Sequence, residues 1–200
     1  MSPRRRISRA RRGGFDVRLP PEERDLLASL PGQLEGLLDG IGDGLSAPPP
    51  ALRRLFPVAY ARDEVAEAAY AALVRQELLE HRREALAVLA QTASASHLDD
   101  EEAAAWLGAL NDLRLVLGTT LEVSEEPVEI QPEDARYADW VCYSYLSFIQ
   151  GELVEALEGT LAPPIPGADD DVPDDPWGEL PGGLRWDGTM RPEQPGPDPS

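Results

Sequence analysis

The feature that most limits what this chain can become is the placement of its prolines. Half of the 20 prolines lie after Ala162, in "PPIPGADDDVPDDPWGELPGG" and "RPEQPGPDPS". Proline fixes φ and lacks an N–H donor, so a stretch this dense in it cannot sustain a helix or an interior strand. The sequence therefore predicts a disordered acidic tail over 163–200 and confines the fold to what precedes it. Charge draws a second boundary, because residues 1–14 hold six Arg and no acid. Those residues read as a disordered Arg-rich arm. The span between, 15–162, carries a charge of −18, and its size and apolar content suit one hydrophobic core.

Inside that span the pattern is helical. Asp63 reads as the N-cap of a long helix reaching about Gln91, with Val74, Leu78, Ala85 and Val88 as its buried stripe. Pro20 and Pro21, followed by Glu22 and Glu23, open an earlier helix, which Pro31 should kink or restart. Residues His97 to Glu102 cap a third helix, with Gly118 as its left-handed C-cap. A fourth starts at Pro132, runs to about Glu158, and is apolar over so wide an arc that it should be central. Along it, Ser144, Ser147 and Gly151 form a small-residue face for a close neighbour. Phe15, Val17 and Leu19 alternate with polar residues as a short strand, and "TTLEVSEEPVEI" has the β-branched content of a partner for it. The predicted class is mainly α, a compact bundle of four to five helices with one or two short strands.

One of these helices, "WLGALNDLRLVLG", is almost wholly apolar yet contains Asn111, Asp112 and Arg114. On a wheel at 100° per residue, Trp106, Ala109, Leu110, Leu113, Val116 and Leu117 share a broad face. Asn111 and Arg114 lie on its flank and Asp112 points away. Polar residues there are expected to form a seam between two neighbouring helices and to fix their register through hydrogen bonds.

Other chemistry is thinly represented. His81 has Glu77 one turn before it and Glu84 three residues after, a metal candidate. Only two histidines exist in the chain, too few for a bundle di-metal centre, and no pair has zinc-ligand spacing. No metal or other cofactor is expected. Cys142 has no second cysteine to bridge and no visible activating base, so it reads as a core residue. "DGIGDG" lacks the spacing of a phosphate-binding loop. A net charge of −19 opposes nucleic acid and anionic lipid, leaving the Arg-rich arm as the one route to DNA. The arm also lacks the apolar run of an export signal, and no stretch has the length of a membrane span, which points to the cytoplasm. Trp177 and Trp186, set among acids and prolines, have the look of a short partner-binding segment.

The segments "LPPEERDLLASL", "RLFPVAY", "WLGALNDLRLVLGT" and "ADWVCYSYLSFIQGELVEAL" resemble an actinobacterial family known as domain of unknown function 2017, over about Phe15 to Leu157. The family pattern has an Arg after the Gly-Thr pair, where this sequence has Thr120. The resemblance transfers no catalytic residue. It implies an association with an adaptor of the Clp protease and, for some members, with transcriptional regulation. Together these readings predict a non-catalytic factor that binds another protein. The alternatives are a DNA-associated regulator using the Arg-rich arm and a metal-dependent enzyme around His81.

Overall fold

A computed structural model describes residues 5–41, 48–123 and 130–159. The tail over 163–200, the "DGIGDG" loop from residue 42 on, and most of the second predicted strand (124–129) lie outside the described residues.

Among the described residues the chain forms strands β1 (Ile7–Arg9) and β2 (Phe15–Val17), helix α1 (Pro21–Asp39), a 3-10 turn (Pro50–Leu52) and helix α2 (Glu64–Thr92). Strand β3 (His97–Leu98) and helices α3 (Asp100–Thr120) and α4 (Tyr137–Glu158) follow. The architecture is a helical bundle with a small antiparallel sheet in the order β1-β2-β3.

The sheet corrects two expectations. Residues 7–9, assigned to the Arg-rich arm, are a strand: Ile7 pairs with Val17 and is fully buried, so one apolar residue among the arginines is enough to draw the segment into the core. The other partner of β2 is β3, through Phe15 opposite Leu98, not the 119–130 segment. Thr119 and Thr120 complete the last turn of α3, their hydroxyls donating to the Leu115 and Val116 carbonyls at 2.7 and 3.1 Å. The hairpin turns on Gly14, at φ +70°, where a Cβ would lie 2.3 Å from the Leu98 carbonyl oxygen.

Helix ends follow the capping residues closely. Asp63 accepts from the N–H groups of Val65 and Ala66 at 3.1 and 3.0 Å. Asp99 and Glu102 exchange side-chain and backbone bonds in a reciprocal capping box. The apolar pattern misleads in four places. Helix α1 is continuous through Pro31, which is buried inside it, because Leu27, Leu30, Leu34 and Leu38 pack on one side without a break. Gly118 is an interior residue of α3, not its cap; a Cβ there would sit 3.2 Å from the Tyr143 ring, so the glycine permits close approach of α4. Helix α4 begins at Tyr137, with residues 132–136 forming turns ahead of it.

The fourth concerns α2, whose fully buried residues are Leu79, Ala85, Leu86 and Leu89. That arc is rotated by roughly 80° from the Val74, Leu78, Ala85, Val88 stripe. Adjacent apolar pairs at 78–79, 85–86 and 88–89 leave the wheel ambiguous, and packing on α3 resolves it.

The central helix is α3, not α4. Its Trp106, Ala109, Leu110, Leu113 and Val116 are fully buried between α2 and α4. The Trp106 indole donates to Thr92 Oγ1 at 2.7 Å, fastening α3 to the end of α2.

Candidate functional site

Asp112 and Arg114 lie roughly 160° apart on α3, at the two edges of its buried arc. They therefore serve two seams, not the single one expected. Asp112 is 5% exposed and forms an ion pair with Arg82 of α2. Arg82 also donates to the Leu55 carbonyl at 2.9 Å and lies over the Phe56 ring at 5.5 Å, so one guanidinium ties α2, α3 and the segment after the 3-10 turn together. Burial pushes the Asp112 carboxyl above its ordinary value even though Arg82 pulls it down. On the other edge, Arg114 donates from Nε to Ser147 Oγ at 2.8 Å and to Gln150 Oε1, over the Tyr143 ring at 5.5 Å. Asn111 is exposed between these edges, reversing the placement expected for it and Asp112. The wheel fixed the angles; it could not show that α2 packs on the Asp112 side.

A third polar cluster was not visible in the sequence. Tyr145 Oη, buried on α4, donates to Glu23 Oε2 at 2.9 Å, and Glu23 Oε1 meets Arg6 Nη2 at 3.2 Å. Burial and the Glu23 charge hold the Tyr145 phenol well above the usual range. Nearby, Glu152 Oε2 accepts from the Ile7 N–H at 3.0 Å, and burial raises its carboxyl too. Glu23 reads locally as a helix-dipole residue and Arg6 as part of a loose arm. Nothing within a window of sequence links positions 6, 23 and 145.

The remaining candidates do not converge. Glu77, His81 and Glu84 are all exposed on α2, and Arg114 faces α4. Among the described residues no group of three or more His, Cys, Asp and Glu side chains is placed to hold a metal ion. Cys142 is buried, with its thiol pushed up to about 12 by desolvation and by the Asp139 charge, so it offers no thiolate at neutral pH. Arg5, Arg6 and Arg9 pair with Glu155, Glu23 and Asp100. Of the small-residue face, Ser147 meets Arg114, whereas a Cβ at Gly151 would meet nothing within 4 Å.

What the described surface does concentrate is apolar area. Its five exposed large hydrophobic residues are Val58, Tyr60, Val65, Tyr70 and Leu73, with Val65 and Leu73 at 81% and 79% exposure. All five fall within sixteen consecutive positions. No residue from Glu64 to Leu78 is fully covered, and of these Leu78, at the inner end of that roughly 22 Å stretch, packs half-buried against the core. Glu67 Oε2 accepts from the Ala59 and Tyr60 N–H groups at 2.9 and 2.8 Å, clamping the preceding segment onto the helix. Tyr60 and Tyr70 meet edge to face at 5.9 Å. The signal was present in the sequence, since Val65 and Leu73 fall off the stripe through Val74 and Leu78 and so had no core to face.

"Oxidative stress regulator AosR" of Mycobacterium tuberculosis is 30% identical over 181 residues, covering 73% of this chain and 83% of that protein. The Mycobacterium bovis protein of the same name aligns equally well. "Putative oxidative stress regulator AosR" of Mycobacterium leprae is 30% identical over 191 residues, covering 78% and 88%. No solved structure matches. Among the described residues no helix is long and apolar enough to cross a membrane. The family match takes in β1 as well as the four helices, reaching further toward the N-terminus than the sequence resemblance did: across residues 3–157 the chain belongs to the family described as domain of unknown function (DUF2017).

Proposed function

We propose that this protein is a non-catalytic regulatory factor that works through contact with another protein chain, made by the apolar surface over residues 58–73. The observation that carries this reading is that the five exposed large hydrophobic residues among the described residues all lie in the start of α2 and the segment just before it. A contiguous exposed apolar patch is unfavourable in water and marks an interaction surface in a monomeric fold. Elsewhere, the buried ionic groups are taken up in pairs that lock helices, as in Arg82 with Asp112 and Tyr145 with Glu23, and present no reactive set.

The relatives' printed role in oxidative stress regulation supports a regulatory assignment. In this sequence that role would be exercised by binding and not by thiol chemistry, because its one cysteine is buried. The ion pairs of Arg5, Arg6 and Arg9 weigh against an arm free to lie along DNA. The test is recovery of bound chains by the tagged full-length protein from a host lysate, for the wild type and for Leu73→Glu. The expected result is a stoichiometric chain, a different protein such as a Clp component or an untagged copy of this one, lost with Leu73→Glu. Recovery of nothing, or recovery indifferent to the substitution, would overturn the reading.

A further inference from the structure

We infer that the occupant of the 58–73 surface is a second copy of this chain, docked antiparallel so that the two α2 helices cross at Ala69. The inference rests on the proposed function only in using the same surface.

The reason lies in the spacing. Val65, Ala69, Ala72 and Leu73 share an arc of roughly 100° on the exposed side of α2. Val65 and Leu73 each lie four residues from Ala69, one toward either end. A two-fold axis through Ala69 therefore sets Val65 against Leu73 of the second copy, and Leu73 against its Val65. Self-complementarity of this kind is what an isologous interface requires. Ala69 and Ala72, both exposed, keep the crossing narrow enough for the larger side chains to interlock. In that register Glu64 falls opposite Val74, Glu67 opposite Ala71, and Glu77 opposite Ala61, so no acid meets an acid in spite of the chain's net charge of −19. Long-range repulsion between two such chains is screened beyond about 8 Å at physiological salt. Val58, Tyr60 and Tyr70 border the crossing and extend the covered area beyond the helix pair.

Other occupants fit less well. The acidic 163–200 segment has a charge of −7 and would meet Asp63, Glu64, Glu67 and Glu77 around the patch. An unrelated protein would not need the symmetric placement about Ala69.

The experiment is sedimentation of the full chain from about 1 μM to about 1 mM. The expected mass rises from 21.8 kDa toward twice that value. Leu73→Glu and Val65→Glu, both at exposed positions, each weaken association by about tenfold or more with helix content unchanged. Ala69→Cys forms a covalent dimer on mild oxidation, whereas Glu84→Cys, exposed on the same helix outside the patch, does not. A constant mass at the monomer value, or a dimer untouched by these substitutions and cross-linked no better through position 69 than through 84, overturns the inference. If the wild type is monomeric while Leu73→Glu still abolishes capture of a different protein, the inference falls and the proposed function stands. If it dimerises through this surface but Leu73→Glu leaves the host's response unchanged, the inference stands and the proposed function falls.

Discussion

Replacing Asp112 by Asn removes one charge from a pair whose side chains are 7% and 18% exposed. The amide keeps the shape and one hydrogen-bond acceptor, so the loss is that of leaving the Arg82 guanidinium desolvated without its counter-charge. Removing one member of a buried pair destabilises by roughly 3–5 kcal/mol. Arg82 retains the Leu55 carbonyl and the Phe56 ring, which places the expectation near the lower end, about 3 kcal/mol. For a chain of this size that corresponds to a fall in Tm of roughly 6–12 °C. The double substitution Arg82→Leu, Asp112→Leu behaves differently. Among the described residues Arg82 Nε is buried without a hydrogen-bond partner, so the pair leaves part of its desolvation unrepaid. Apolar side chains of similar volume should therefore return stability to within about 1 kcal/mol of the wild type. Urea unfolding followed by circular dichroism measures Asp112→Asn and the four corners of the leucine cycle: wild type, Arg82→Leu, Asp112→Leu and the double variant. The reasoning is refuted if Asp112→Asn loses less than about 1 kcal/mol, or if the double variant loses the sum of the single losses.

Gly14→Ala should lose about 2 kcal/mol or more, since the residue is held at positive φ and a Cβ meets the Leu98 carbonyl; thermal unfolding measures it. Glu152 has a folded-state value above its unfolded one, chiefly through burial, so it favours the fold most fully below its unfolded value and loses that contribution as pH rises through its folded one. Asp134, held at about 2 chiefly by the Arg136 side-chain hydrogen bond, has the opposite sign: its contribution is present above 3.8 and lost as pH falls toward 2. Carboxyl titrations by NMR should place Asp134 below Glu152. Cys142 should react with a thiol reagent only at the rate of unfolding, and fast labelling of the native protein would contradict its placement in the core.

Much of the bundle was legible because its signals are local. Asp63, Asp99 and Glu102 announce helix starts through groups within three residues of each other, and the Trp106 to Leu117 face follows from periodicity alone. The misreadings arose where a distant element decides. Ile7 becomes a strand only because β2 offers it a partner and the core a place. Asp112 is buried because Arg82 stands thirty residues earlier on a helix whose inward face could not be chosen from its own residues. The network of Arg6, Glu23 and Tyr145 is made by bonds between positions 17 and 122 residues apart. The apolar surface is only half legible: a wheel shows which residues share a side, and the tertiary fold shows that the side carrying Val65 and Leu73 is left exposed.

The account's central claim is that function resides in the 58–73 surface and not in polar chemistry on α2. Its most direct test is complementation of a host strain lacking the protein, scoring the response that the deletion alters, with two variants. Leu73→Glu should fail to restore the response, while Glu77→Ala, His81→Ala, Glu84→Ala in combination should restore it in full. Rescue by the first and failure of the second, with both proteins folded, would contradict it.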